Sequence, residues 1–244
     1  ILKDFDEEIS FFLCELLQQK GIKFIFEEIP KKITKRNLSL AVLFKTKTEE
    51  YNTVMSAVGR SPSIENIGIE NTKIKISNDG SIVVDDYFET DQKGIFAIGD
   101  VINKIQLTPV AIAEAMNLVN NLNKKRRKRI SYENIPTAVF SNPNVATVGF
   151  TEKQAQLKFK KIKIFRSKFK PLKLSLGKHK EKVFIKMIVE TSSEKVIGLH
   201  YVGPNAAEII QGFAVAIVNG LKKSDFDRTI GIHPSSAEEI VTMK

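Results

Sequence analysis

The segment that most restricts this chain is Ile95-Phe96-Ala97-Ile98-Gly99-Asp100, followed by Thr108-Pro109. An apolar run that stops at Gly-Asp reads as a buried strand ending at its carboxyl edge. In open α/β sheets, ligands sit outside the carboxyl ends of strands. Glycine there lets a ligand approach the backbone, and the aspartate can accept hydrogen bonds from sugar or polyol hydroxyls. Threonine is a good N-cap and proline is favoured at the first helical position, so a helix is predicted from Thr108 to about Leu122. Its N-terminus presents free N–H groups and a partial positive charge, which suits an anion or a group that becomes negative. Each half alone also describes an ordinary turn and an ordinary capped helix; the combination is the specific signal.

The rest of the pattern fits an α/β piece followed by a strand-rich part. Ile9, Phe12, Leu13, Leu16 and Leu17 form one face of a helix over Asp6–Lys20, with Gly21 as its stop. Strands are predicted at Lys23–Phe26, Leu38–Phe44, Val54–Val58, Ser81–Val84 and Ile95–Ile98. Later strands are predicted at Ala138–Phe140, Val145–Val148, Ile162–Ser167, Val183–Val189 and Val196–Val202. Thr151 and Gln154 fit a capping box. A buried helix is predicted from about Ala206 to Asn219, and a short final one at Ser235–Met243.

Composition narrows the function classes. With 244 residues the chain is long enough for one or two domains at about 150 residues each. The single Cys14 lies among the apolar residues of the first helix and reads as a packed thiol. It excludes an internal disulfide framework, a cysteine zinc site or a dithiol centre within these residues, and no metal site is expected. No run approaches about 18 apolar residues, so no membrane partner is expected. The chain starts at Ile1, without a basic and apolar leader pattern, and reads as a piece of a longer protein. The net charge of +10 is local: Lys124–Arg129 supplies +6, and Lys158–Lys182 holds eleven basic residues against Glu181. A basic nucleic-acid-binding module is the rival reading from a different class. It calls for aromatic stacking platforms among the lysines, whereas Phe159, Phe165 and Phe169 sit where strand packing would place them. A non-catalytic dimerisation piece is a third reading.

Thr90-Asp91-Gln92-Lys93-Gly94 leading into Ile95–Asp100, then Leu107-Thr108-Pro109-Val110-Ala111, resembles the second FAD-binding motif of the pyridine nucleotide–disulfide oxidoreductases. Gly231-Ile232-His233-Pro234-Ser235-Ser236-Ala237-Glu238-Glu239 resembles the HPTxxEE ending of the branch of that family that reduces glutathione disulfide, with Ser235 for the usual Thr. Ala57–Pro62, Pro136–Phe140, Val196–Gly203 and Gln211–Ala216 carry further resemblance, so it spans essentially the whole chain.

The resemblance implies an α/β fold: the end of an NAD(P)H-binding domain over residues 1–62, the second part of a FAD domain with a basic linker over 63–133, and an α+β dimerisation domain with an antiparallel sheet over 134–244. It implies that Asp100, beside Gly99, binds the ribityl chain of FAD, and that the helix at Thr108 points at the pyrimidine edge of the flavin. Gln106, Leu107, Ala138 and His233 join these as cofactor contacts, and Gly59 lies near NADPH. It implies that His233 is the acid/base of thiol–disulfide chemistry, oriented by Glu238, and that His233 reaches the flavin site of a second subunit. Leu172 and Glu239 fall at substrate positions, as does Met116, where some relatives carry Arg. His179 and His200 receive no role. The implied whole is a cytoplasmic, homodimeric flavoenzyme that uses NADPH and FAD to reduce glutathione disulfide, with this portion inactive by itself. Within the family, dihydrolipoamide dehydrogenase is the nearest alternative; it usually has a second His where this chain has Gly231.

Overall fold

The computed structural model describes residues 1–122, 127–177 and 181–244. His179 and parts of both basic runs lie outside these residues. The chain forms two compact units: Ile1–Phe26 with Tyr132–Lys244, and Glu27–Ser131. In this grouping the first helix packs with the C-terminal residues.

The larger unit is built on an antiparallel five-stranded sheet in the order β4-β5-β8-β7-β6: β4 Thr137–Val139, β5 Val145–Gly149, β6 Ile162–Phe169, β7 Val183–Glu190 and β8 Val196–Val202. All eight residues of β7 are buried, because both faces of the sheet are covered. On one face, Ile185, Met187, Leu199 and Tyr201 pack against α4 (Ala206–Val218) through Ala206, Ile210, Ala214 and Ile217. On the other, Phe184 and Val202 pack against α1 (Glu7–Gln19) through Ile9, Phe12, Leu13 and Leu16. The periodicity of Asp6–Lys20 thus identifies the buried face of α1, with Asp6 as N-cap to the Glu8 amide. Phe165 and Phe169 of β6 join the core, and Phe159 packs edge-on against Phe150.

Two glycines make the β5–β8 pairing possible. Gly149, at φ +81°, and Gly198 face each other in the register, and a Cβ on either would overlap a carbonyl oxygen, Ile197 or Phe150 respectively. The Phe150 amide donates to the Ile197 carbonyl at 2.8 Å in this crowded crossing.

The charged residues beneath α1 are the least expected part of the core. Lys186 interrupts the apolar run of β7 and is 1 % exposed. Its Nζ lies 2.8 Å from Asp6, 2.6 Å from Glu8 and 2.6 Å from Glu152, at the start of α3 (Glu152–Lys158). Arg166 of β6 adds ion pairs to Glu8 at 3.0 Å and to Glu152 at 3.5 Å. Burial alone would raise the Asp6 and Glu8 pKa values; the Lys186 bond, with the Glu152 amide for Asp6 and Arg166 for Glu8, holds both below the usual carboxylate values. Beside this group His200 of β8 is fully buried, contacting the Thr147 hydroxyl through Nδ1 and the Phe150 carbonyl through Nε2 at 3.0 Å.

The Glu27–Ser131 unit contains a small antiparallel sheet of β1 Lys32–Lys35, β2 Leu40–Leu43 and β3 Thr48–Tyr51. Its second part packs Ile82, Phe88, Ala97 and Ile102 against Leu118 of α2 (Thr108–Leu122) and Ile130. The strands expected at Lys23–Phe26 and Val54–Val58 are irregular. Ser81–Val84 and Ile95–Ile98 form single bridges, Ile76 with Ile82 and Glu89 with Phe96. An apolar run becomes a strand only when a neighbour accepts its ladder, and each of these runs makes a single bridge. Two short helices complete the fold: α5 (Lys223–Asp227), absent from the sequence reading, and α6 (Glu238–Thr242), shorter than expected. No helix among the described residues is long and apolar enough to cross a membrane.

Candidate active site

The segment Thr229–Ala237 between α5 and α6 carries the His-Pro motif, and both ends of it are fixed. Ile240 of α6 is buried in the sheet core, and Lys223 of α5 donates to the Met243 carbonyl at 2.7 Å. Gly231 lacks a side chain where a Cβ would stand 2.8 Å from the Cβ of Glu238, so the segment can pass closely over the start of α6. His233 Nδ1 then lies 3.1 Å from both carboxylate oxygens of Glu238. The Ser235 hydroxyl accepts from the Glu238 amide at 3.2 Å, while the Ser235 amide donates to the Glu238 carboxylate at 3.3 Å. Serine in place of threonine therefore keeps the reciprocal capping interaction. The imidazole remains 81 % exposed, with Nε2 on the side opposite the nitrogen that Glu238 holds. An imidazole steered at one nitrogen and accessible at the other is equipped for proton transfer.

Glu239, the next residue, takes a different partner: it accepts from the Ser167 hydroxyl of β6 at 2.9 Å. This bond ties α6 to the sheet edge. Leu172 lies in a 3-10 turn, Leu172–Leu174, with its side chain exposed. Ala138 is in β4, paired with Ala146.

In the other unit, Gly99 and Asp100 open a 3-10 turn, Gly99–Ile102. Gly99 has φ +73°, and a Cβ on it would lie 3.2 Å from the Cβ of Ala111 on α2. The turn and the helix are thus pressed together where a side chain would not fit. The Asp100 carboxylate is about half exposed, with Arg60 as a distant ion-pair partner at 3.8 Å. Its oxygens remain available to hydroxyl donors. Asn103, in the left-handed region at φ +49°, donates to Asp79 at 2.6 Å and accepts from Gln106 at 2.8 Å, which holds the approach to α2. Asp79 is held well below the usual carboxylate range by hydrogen bonds from Ser77, Asn103 and Ser81.

The helix begins one residue earlier than the capping pattern implies. The Ala111 amide donates to the Leu107 carbonyl at 3.0 Å, so Thr108 is the first helical residue rather than the cap. Thr108 and Pro109 are exposed at this end, which leaves the positive end of the helix accessible. These residues offer a hydroxyl-accepting carboxylate, a glycine that brings backbone close and a helix N-terminus. That donor set fits the ribityl and ring portions of a flavin. Met116 is exposed on the same helix, and Gly59 lies in an exposed loop at φ +136°.

The sequence reading missed Glu114. This residue of α2 is 1 % exposed and accepts a hydrogen bond from the Gly99 amide at 2.6 Å. The available signal was a lone carboxylate at the i+3 position from Ala111, on the helix face that meets the turn.

Comparison with known proteins covers nearly the whole chain. Residues 1–115 match the pyridine nucleotide-disulphide oxidoreductase family, and residues 135–244 match the dimerisation domain of the same family. The chloroplastic/mitochondrial glutathione reductase of Pisum sativum is 45 % identical over all of this chain and 45 % of its own length. The glutathione reductase of a Nostoc species is 39 % identical over all of this chain and 56 % of its own. The chain thus spans about half the length of these relatives. Among solved structures, the HOCl-induced flavoprotein disulfide reductase RclA from Escherichia coli superposes with a TM-score of 0.90, at 22 % identity, over 98 % of this chain and 55 % of that one. With both of its parts matched and the His-Glu pair and Gly-Asp turn in place, the chain belongs to the pyridine nucleotide-disulphide oxidoreductase family.

Proposed function

We propose that this chain is part of an NADPH-dependent, FAD-containing enzyme that reduces glutathione disulfide, and that it works as a homodimer. The observation that carries the reading is the His233–Glu238 pair: both carboxylate oxygens lie at one distance from Nδ1, with the ring otherwise exposed. The glutathione reductases similar along the entire chain support the substrate class. On this reading residues 1–62 belong to the nucleotide domain, 63–133 to the flavin domain and 134–244 to the dimerisation domain.

FAD, when bound, would pass electrons from NADPH to a dithiol pair that lies outside this chain, whose only cysteine is Cys14. The protein's own groups act around that transfer. Asp100 would hold the ribityl hydroxyls of FAD by accepting their hydrogen bonds, and the N-terminus of α2 would favour negative charge at the ring. Reducing a disulfide generates two thiolates, at least one of which must be protonated to leave. His233 supplies that proton from Nε2 and retakes it, while Glu238 fixes the ring through Nδ1. Lys161, Lys163, Lys168 and Lys170 are exposed along β6 and its end, a positive field suited to an anionic disulfide.

The test is stopped-flow separation of the two half-reactions in the intact enzyme. His233→Gln is expected to slow the disulfide half-reaction on the order of 10²-fold or more and to leave flavin reduction by NADPH nearly unchanged. Slowed flavin reduction with an intact disulfide step would refute the role. A higher specificity constant for dihydrolipoamide would transfer the substrate to the alternative branch.

A further inference from the structure

We infer that Glu114 is a positioning residue for flavin binding, acting through the Gly99 amide on Asp100; the inference rests on the flavin reading above and deepens it. Three features of the Glu27–Ser131 unit lead there. First, the 3-10 turn Gly99–Ile102 begins after Ile98, which supplies no side-chain cap, so the opening amide needs an acceptor from elsewhere. That amide is buried, and an unbonded one would carry a full desolvation penalty. The Glu114 carboxylate meets it at 2.6 Å, the short distance of a charge-assisted bond.

Second, α2 holds the turn at two points on one face. Ala111 abuts Gly99, and Glu114 lies one helical step further and bonds the same residue. Gly99 is thereby fixed both sterically and by hydrogen bonding, and Asp100 is its covalent neighbour. Among the described residues, Asp100 has one distant ion-pair contact, Arg60 at 3.8 Å. The direction of its carboxylate is therefore set by backbone position and not by a tight side-chain partner.

Third, α2 is the helix whose N-terminus is exposed at Thr108. Two contacts to one cofactor, a carboxylate for the polyol chain and a helix end for the ring, sit on two elements eight residues apart in sequence. Glu114 joins those two elements. It sets the spacing between them, and a ligand that must touch both binds well only if that spacing is held in advance.

The experiment is FAD titration of the apo form of the intact protein, followed by flavin fluorescence, with hydrogen exchange over residues 96–103 as a second readout. Glu114→Gln keeps an acceptor; it is expected to stay within about threefold of the parent affinity and to keep the exchange protection. Glu114→Met keeps the volume but removes the acceptor; it is expected to weaken FAD by about tenfold or more and to lose protection at the turn. Asp100→Ala is expected to weaken FAD too, and adding Glu114→Met to it should then cost almost nothing further, because one acts through the other. Fully additive losses would overturn the inference, as would an unchanged affinity in Glu114→Met. If Glu114→Met does not fold, a tenfold loss in Glu114→Gln overturns it and near-parent affinity with retained protection supports it. An Asp100→Ala protein that binds FAD normally would instead refute the flavin reading itself.

Discussion

Replacing Lys186 by Met tests what holds α1 on the sheet. The substitution conserves length and apolar stem but deletes a charge that three carboxylates approach within 2.8 Å. Asp6 is as deeply buried as the lysine, at 1 % exposure, so it cannot recover its hydration. It would keep two backbone donors, the amides of Glu8 and Glu152, at 3.2 and 2.9 Å. Removing one partner of a buried pair costs about 3–5 kcal/mol, chiefly from the stranded charge. Each 1.4 kcal/mol is about a factor of ten in an opening equilibrium, so amide exchange along α1 should accelerate at least about 10²-fold. The pH dependence gives a sharper sign. In the parent, burial raises the Asp6 pKa but the Lys186 bond and the Glu152 amide outweigh it, so the carboxylate contribution is present above 3.8 and is lost as pH falls through the lowered value. Without Lys186 the largest cause opposing burial is gone, so the Asp6 pKa should rise relative to the parent. The variant should then tolerate pH 5 better, relative to parent, than pH 8. Asp6→Asn in the same chain should restore much of the protection. Less than a tenfold change in α1 exchange, or no relief from Asp6→Asn, would refute the account.

His200 gives a second pH signature: burial pushes its pKa down to about 4 from 6.5, so below 6.5 the unfolded chain takes up a proton that the fold refuses. Stability is complete above 6.5 and should fall by about 2 kcal/mol from pH 7 to pH 5, a slope that His200→Gln should flatten in denaturant titrations. Gly149→Ala should cost on the order of 3 kcal/mol or more, because its Cβ overlaps the Ile197 carbonyl and φ is +81°; an unchanged thermal midpoint would contradict the crowded crossing. The outward face of α4 carries exposed Val215 and Val218, so Val215→Glu should shift the intact protein from dimer to monomer in light scattering. A parent that is monomeric at micromolar concentration would remove the homodimer from the reading.

Helix and strand identity was legible wherever a segment repeats with one period or carries a clear start or turn signal. Asp6–Lys20 shows its apolar face, Thr108–Leu122 its Thr-Pro start and Ala206–Asn219 a buried apolar run, and each forms a helix within a residue or two of those limits. The five strands of the large sheet were legible from their apolar runs and turns, and the Thr151–Gln154 capping box forms as spaced. The pairing of His233 with Glu238 was equally local, since five residues across one turn place them together.

The sequence by itself thus determined which segments could be helices and strands, and which residues could meet across a turn. Only the tertiary structure decided what covers each face. Periodicity marks the apolar side of α1 but not that the sheet 120 residues later receives it. Lys186 reads as an interruption in a strand until Asp6, Glu8 and Glu152 arrive from two other elements to neutralise it. Ile95–Ile98 has the composition of a strand yet makes one bridge, because a ladder is a property of two segments and not of one. Glu239 looks as free as Glu238 in the sequence, but Ser167 of a distant strand engages it. Glu114 is one acidic residue on a helix until the fold presses Gly99 against Ala111 and brings the Gly99 amide to its carboxylate. In each case the deciding energy is desolvation, which depends on what is buried together and has no expression in the local chain.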